Sequence, residues 1–158
     1  LDRSSAASDV YKRQILIPVD GSDCALDAVR HALVLVARGL RARFVVANVQ
    51  SPANLYELVV AHDPQVLQQV SEAAGRDLMK PAVQLLQAAG LQVEQDVATG
   101  DPAHTLIELL ERHGCDALIL SAHGSSGYRT QLGAVAHELV QIAPVPVTVV
   151  RPQERDGG

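Results

Sequence analysis

Two stretches of this chain, far apart in sequence, carry residue types that can hold an anion. One is Ile15-Leu16-Ile17-Pro18-Val19-Asp20-Gly21-Ser22. The other is Leu118-Ile119-Leu120-Ser121-Ala122-His123-Gly124, followed by Gly133-Ala134-Val135. Each is an apolar run that stops at a glycine-containing turn and then enters a helical pattern. A strand–turn–helix passage of this kind points backbone N–H groups, and the positive end of a helix dipole, at one place. Its chemistry is the binding of a phosphate or carboxylate. Glycine in such a turn allows a positive φ and a close approach of the backbone to a ligand. Glycine turns without a ligand are about as common, so spacing alone leaves both readings open.

The polar side chains in these stretches also have two readings each. Asp20 either contacts a ligand or caps its own turn. His123 either donates to a phosphate or packs beneath the loop. His31, His62, His104, His113 and His137 show no metal-ligand spacing. His137 and Glu138 are neighbours on a helix and cannot form a joint site. No serine nucleophile elbow, pair of catalytic carboxylates or Walker lysine is present, so no catalytic residue and no metal ligand is assigned. Cys24 and Cys115 are too few for a disulfide scaffold and belong at opposite ends of a parallel sheet, too distant to be bridged.

The elements that must position these residues follow from periodicity. Ile15–Val19 is a continuous apolar run, as in a buried parallel strand. Ser22 caps the next helix, where Leu26, Val29, Leu33 and Val36 recur at helical spacing up to Gly39. Phe44–Val49 is the second strand, and residues 51–64 form a loop or short helix. A long helix is expected over Gln65–Ala89, with Leu67, Val70, Ala74, Leu78, Leu85 and Leu86 buried and Pro81 kinking or dividing it. Leu91–Ala98 alternates, as an edge strand does. Asp101 and Pro102 start a helix that runs to His113. Ala117–Leu120 is the fourth strand, 121–132 a loop, Gly133–Ala143 a helix and Pro146–Val150 the last strand. Strict alternation of strand and helix predicts an α/β fold, a single open five-stranded parallel sheet with helices on both faces and right-handed crossovers. In such a sheet a ligand binds beyond the strand C-termini where strand order reverses. If the first and fourth strands are the central pair, the turn at Gly21 and the loop from Ser121 to Gly133 face one crevice.

Composition bounds the partners. The 158 residues suit one domain, and 47% hydrophobic against 20% charged residues read as globular. Lys12 and Lys80 are the two lysines and the net charge is −5, which argues against nucleic acid. No apolar run approaches the roughly 18 residues that span a bilayer, and no signal-peptide pattern is seen, which places the protein in the cytoplasm without membrane attachment. The string Ser4–Gln14 resembles the translated sequence of a transposase sequencing adapter. Residues 1–14 are therefore read as a non-native leader, 15–152 as the domain and 153–158 as a polar tail.

Taken together, the two stretches resemble the universal stress protein family, small α/β domains that either bind ATP or have lost it. The resemblance covers nearly all of Ile15–Pro152. Pro18–Ser22 matches the strand-one signature Pro-Val-Asp-Gly-Ser in full, and Gly100–Ala103 matches a Gly-Asp-Pro-Ala turn. The nucleotide-binding branch carries Gly-x2-Gly-x9-Gly-Ser/Thr after strand four. Here those glycines fall on Ser121, Gly124 and Gly133, the final hydroxyl residue is Ala134, and the loop is one residue short. The resemblance implies a Rossmann-like, adenine nucleotide alpha hydrolase-like fold. It implies ATP, with Mg, or AMP as ligand, Asp20 against the adenosine part and a main-chain group near Phe44 against the base. Pro18, Leu120, Ser121, His123, Gly124, Gly133, Ala134 and Val135 complete the implied crevice.

Each departure from that pattern has a physical cost. The Cβ and hydroxyl of Ser121 intrude where a phosphate approaches the backbone, and Ala134 removes a hydrogen bond to a charged group worth about 1.5–3 kcal/mol. Ser125 and Ser126 are candidate substitute donors. The first functional reading is a stress-response binding or signalling module with a degraded nucleotide crevice and no robust catalysis, forming a homodimer through Pro146–Val150. The alternative is an ATP-binding switch or slow ATPase. A phospho-receiver of flavodoxin-like topology is disfavoured, because strand three ends in Ala98-Thr99-Gly100 without an acceptor aspartate and no lysine follows Lys80.

Overall fold

In the computed structural model, residues 12–51, 64–124 and 132–152 are described. The leader up to residue 11, the segment 52–63, loop residues 125–131 with Ser125 and Ser126, and the tail from 153 lie outside them. The elements are β1 (Arg13–Pro18), α1 (Asp23–Ala37), β2 (Ala42–Gln50), α2 (Pro64–Ala88), β3 (Val93–Thr99), α3 (Pro102–Arg112), β4 (Ala117–Ser121), α4 (Ala134–Ile142) and β5 (Val147–Val150). The five strands are all parallel, in the order β3-β2-β1-β4-β5. The chain winds outward from β1 in both directions, so strand order reverses between β1 and β4. A flavodoxin-like sheet runs 2-1-3-4-5, and the observed order excludes it.

Alternation along β1 sends its side chains to opposite faces. Ile15 and Ile17 join a core with Phe44 and Val46 of β2, Ala28 and Val29 of α1, and Met79 and Leu86 of α2. Leu16 joins a second core with Val45, Leu118 and Leu120, roofed by Leu106 and Leu109 of α3 and Leu139 of α4. Leu16, Ile17, Leu109, Leu118 and Leu139 are fully buried. Each such side chain contributes roughly 1.5–3 kcal/mol relative to exposure. The aromatic-poor composition is met by aliphatic packing around one buried Phe44.

Three expectations are corrected. β1 starts at Arg13, two residues earlier than the apolar run, because Arg13 N–H donates to Arg41 O, Asp116 N–H donates to Gln14 O, and Gln14 N–H donates to the Asp116 carboxylate. The buried face of α2 is Ser71, Gly75, Met79, Ala82, Val83 and Leu86, while Val70 and Leu78 are 38% and 39% exposed. Helix and sheet approach so closely that a Cβ on Gly75 would sit 2.5 Å from Val97 Cγ1, which leaves room for small side chains only. Pro81 does not divide α2, which is assigned as one helix. The proline forfeits one backbone bond, and packing on both sides of it, by Met79, Ala82 and Val83, holds the helix to the sheet.

Candidate functional site

β1 and β4 pair side by side, Ile15 with Ala117 and Leu16 with Leu118, so their C-terminal ends open together. Beyond them lies a cavity of about 490 Å³. Its floor is Pro18, Val19 and Asp20 after β1, Ala47 and Val49 of β2, and Leu120 to Gly124 after β4. Its wall is Pro102 and Leu106 of α3 with Leu132 to Ala136 and Leu139 at the start of α4. Pro18, Asp20, Leu120, Ser121, His123, Gly124, Gly133, Ala134 and Val135 are thus brought to one place.

Phe44 does not join them. It is buried in the core opposite Ile15, three residues before Ala47, or about 10 Å along the strand at ~3.3 Å per residue. Val49, nearer the C-terminal end of β2, lines the cavity instead. The strand's direction carried that signal, since only residues near its end can reach a crevice at the C-terminal edge.

The turn at Asp20 is built from short bonds. Its Oδ1 accepts from Ser22 N–H at 2.9 Å and from the Ser22 hydroxyl, and Ser22 Oγ in turn accepts from Ala25 N–H to cap α1. Gly21 between them has φ +87°, a left-handed conformation that L side chains rarely adopt. The other oxygen of Asp20, Oδ2, lies 3.0 Å from the Cβ position of Gly124. Both roles considered for Asp20 are therefore compatible: one oxygen holds the turn, and the second borders the crevice. Asn48, which the sequence reading passed over, pins this arrangement. It is 3% exposed, and its Nδ2 donates to Val19 O at 2.8 Å. A lone amide within the apolar run Phe44–Val49 was the available signal.

At the β4 end only Gly124 is tightly approached, by Asp20 Oδ2, while Gly133 has ordinary contact distances. Neither Gly124 nor Gly133 lies in the left-handed region. A Cβ on Gly133 would come 3.4 Å from Ala122 O and 3.6 Å from Gly124 N. Gly133 N–H donates to Ala122 O at 2.7 Å, folding the loop's exit onto its entrance. Gly133 is also the N-cap of α4, and no side chain caps that helix. The first N–H groups of α4 therefore retain their positive partial charge beside the cavity. Ser121 Oγ donates to His123 O at 2.8 Å, so its hydroxyl is occupied within the loop.

His123 is 3% exposed, and neither ring nitrogen has a hydrogen-bond partner among the described residues. Among the described residues of the cavity it is, with Asp20, the only titratable side chain. Outside the cavity, Asp101, His104 and Glu138 form an exposed group whose ligand atoms lie within 4.8 Å of one another. Sequence spacing missed this group because Glu138 comes from another helix. His104 Nδ1 lies 2.7 Å from Asp101 Oδ2 and 3.5 Å from Glu138 Oε1. The hydrogen bond between them lowers the Asp101 carboxyl and raises the His104 imidazole. Both cysteines are free, and burial pushes the Cys115 thiol up to about 11.

Against known proteins, the profile of the Universal stress protein family matches residues 12–151. Universal stress protein MJ0531 of Methanocaldococcus jannaschii is 26% identical over 149 residues, 94% of this chain and 86% of that one. Among solved structures, hypothetical protein MJ0577 of the same organism superposes with a TM-score of 0.74 at 22% identity, over 92% of this chain and 99% of that one. A universal stress protein in complex with cAMP superposes with a TM-score of 0.61 at 22% identity, over 89% and 98% of the two chains. A family protein from Arabidopsis thaliana with AMP bound gives 0.65 at 19% identity, over 89% and 92%. At these identities the structural likenesses establish the fold. It is the five-stranded parallel α/β architecture already drawn from the chain itself.

Proposed function

The chain belongs to the universal stress protein family, and on that premise we propose that its crevice takes an adenine nucleotide and that it serves as a stress-response binding or signalling module without efficient catalysis. The observation that carries the reading is the cavity of about 490 Å³ between the ends of β1 and β4, faced by the uncapped start of α4. Its lining is mostly apolar, as a purine favours, with a few polar groups, Asp20, Ser121 and His123, among them. Relatives of the same fold holding cAMP and AMP support that choice of ligand. In this reading Asp20 meets the ribose, Val49 and Ala47 border the base, and Ser121, His123, Gly124 and the first turn of α4 meet the phosphate. The protein works in the cytoplasm as a homodimer paired through β5.

The phosphate end is weaker than the family's nucleotide-binding pattern. The Ser121 hydroxyl is engaged by the His123 carbonyl, and Ala134 offers no hydroxyl. A triphosphate with its Mg suffers most, because it needs most donors. The reading as an ATP switch or slow ATPase keeps one observation in its favour, the start of α4, which no side chain caps among the described residues. Calorimetry of Mg-ATP on the double variant Ser121→Gly, Ala134→Ser separates the two. A gain of about tenfold or more, the worth of one hydrogen bond to a charged group, identifies a weakened triphosphate site. Equal affinities in the variant and the original chain contradict the account of a degraded crevice.

A further inference from the structure

Buried polar groups in folded proteins are almost always hydrogen-bonded, and each exception calls for an explanation. His123 is such an exception. It lines the cavity at 3% exposure, with Nδ1 and Nε2 both buried and without partners among the described residues. It stands where an anion is favoured for a second, independent reason. The uncapped start of α4 adjoins it, with the Cβ position of Gly133 3.6 Å from His123 Cα. The neighbouring hydroxyl cannot share the task, since Ser121 Oγ donates to the carbonyl of His123.

A neutral imidazole offers one donor and one acceptor, whereas the protonated ring offers two donors and a positive charge. An anion held beside it favours the protonated form. We infer that the nucleotide phosphate binds together with one proton taken up by His123, which makes this crevice a pH-dependent nucleotide site. The inference rests on the nucleotide reading above. Among the described residues that line the cavity, Asp20 after β1 is the other titratable group. Leu106 of α3 and Ala136 and Leu139 of α4 present apolar walls. Asp23 at the start of α1, Asp101 and His104 at the start of α3, His137 on α4 and Arg151 after β5 are exposed to solvent, and Glu138 on α4 is half-buried in the outer group with Asp101 and His104.

Imidazole is the side chain that ordinarily changes charge between pH 5 and 8, which sets the window for the test. The test uses the full chain and cyclic AMP, a phosphodiester whose own charge is fixed across that range. Titration calorimetry is run at pH 6 and pH 8, in two buffers of different ionisation enthalpy, on the original chain and on His123→Gln. The expected results are affinity about tenfold or more higher at pH 6, uptake of close to one proton on binding in between, and loss of both in His123→Gln. Binding without proton uptake and with flat affinity overturns the inference while leaving the nucleotide reading intact. So does a His123→Gln variant that keeps the original pH dependence. If that variant does not fold, proton uptake by the original chain decides alone, supported by an NMR titration of the His123 ring with and without ligand. Absence of binding by cyclic AMP, AMP and Mg-ATP at either pH removes the nucleotide reading and the inference together.

Discussion

Asp101 and His104 show how a single pair of side chains sets a local pH response. Asp101 caps α3, accepting from His104 N–H at 3.2 Å, and its Oδ2 also meets His104 Nδ1. The carboxyl is lowered from 3.8 by the His104 hydrogen bonds, so its contribution is present above that value and fades as pH falls through the lowered one. The imidazole is raised from 6.5 by the Asp101 hydrogen bond, so its contribution is present below 6.5 and fades as pH rises through the raised value. The pair therefore stabilises most between about pH 4 and 6.5. Melting curves of His104→Ala should show a deficit in Tm that is largest near pH 5 and vanishes by pH 9. The deficit should be small, because both groups are fully solvated. The cap was legible in the sequence, from Asp followed by Pro at the helix start, but the bridge to Glu138 was not. Likewise nine of the ten residues that the resemblance implied line the cavity, and Phe44 does not. Turn chemistry is local, whereas the reach of a strand residue depends on where along the sheet the crevice lies.

Secondary-structure elements here are defined as much by small residues as by large ones. α2 lies on β2 and β3 through Ser71, Gly75, Met79 and Ala82, while Val70 and Leu78 are 38% and 39% exposed and Leu78 sits against the Gly21 turn. Hydrophobic periodicity weights large apolar residues, so it found Leu86 and placed the helix within a residue or two but passed over the small residues of the buried face. Ser71 closes the polar end of the contact by donating to Gln50 Oε1 at 2.9 Å. At Gly75 an added Cβ would meet Val97 Cγ1 and Cγ2 at 2.5 and 2.7 Å and Asn48 Oδ1 at 3.0 Å. Gly75→Ala should therefore destabilise the chain by about 1–3 kcal/mol in urea unfolding, the usual cost of overpacking. Adding Val97→Ala should recover part of that loss. Additive losses in the double variant would show that the close approach is not what requires glycine.

At the scale of the whole molecule, the alternation of strands and helices fixed the class of fold in advance, but not the strand order. The order matters because it puts β1 beside β4 and so brings Asp20 to Gly124. It also leaves β5 as an edge, with Val147 and Val149 half-buried and Thr148 exposed, and with Val140 and Ile142 of α4 47% and 40% exposed. An unblunted edge of this kind pairs readily with another strand. A lysine at Thr148 should set like charges across a two-fold pairing. If the chain pairs through β5 as proposed, Thr148→Lys halves the mass measured by light scattering without changing the far-UV spectrum, and an original chain of monomer mass, or an unchanged dimer, contradicts that pairing. An amide-resolved NMR titration of the full chain with AMP is the direct test of whether the crevice beyond β1 and β4 is the nucleotide site. Saturable shifts are expected at Val49, Ser121, Gly124 and Ala134–Ala136, with α2 residues such as Met79 and Ala82 unmoved. No shifts at millimolar AMP, or shifts centred on α2 or the β3 edge, would contradict that assignment.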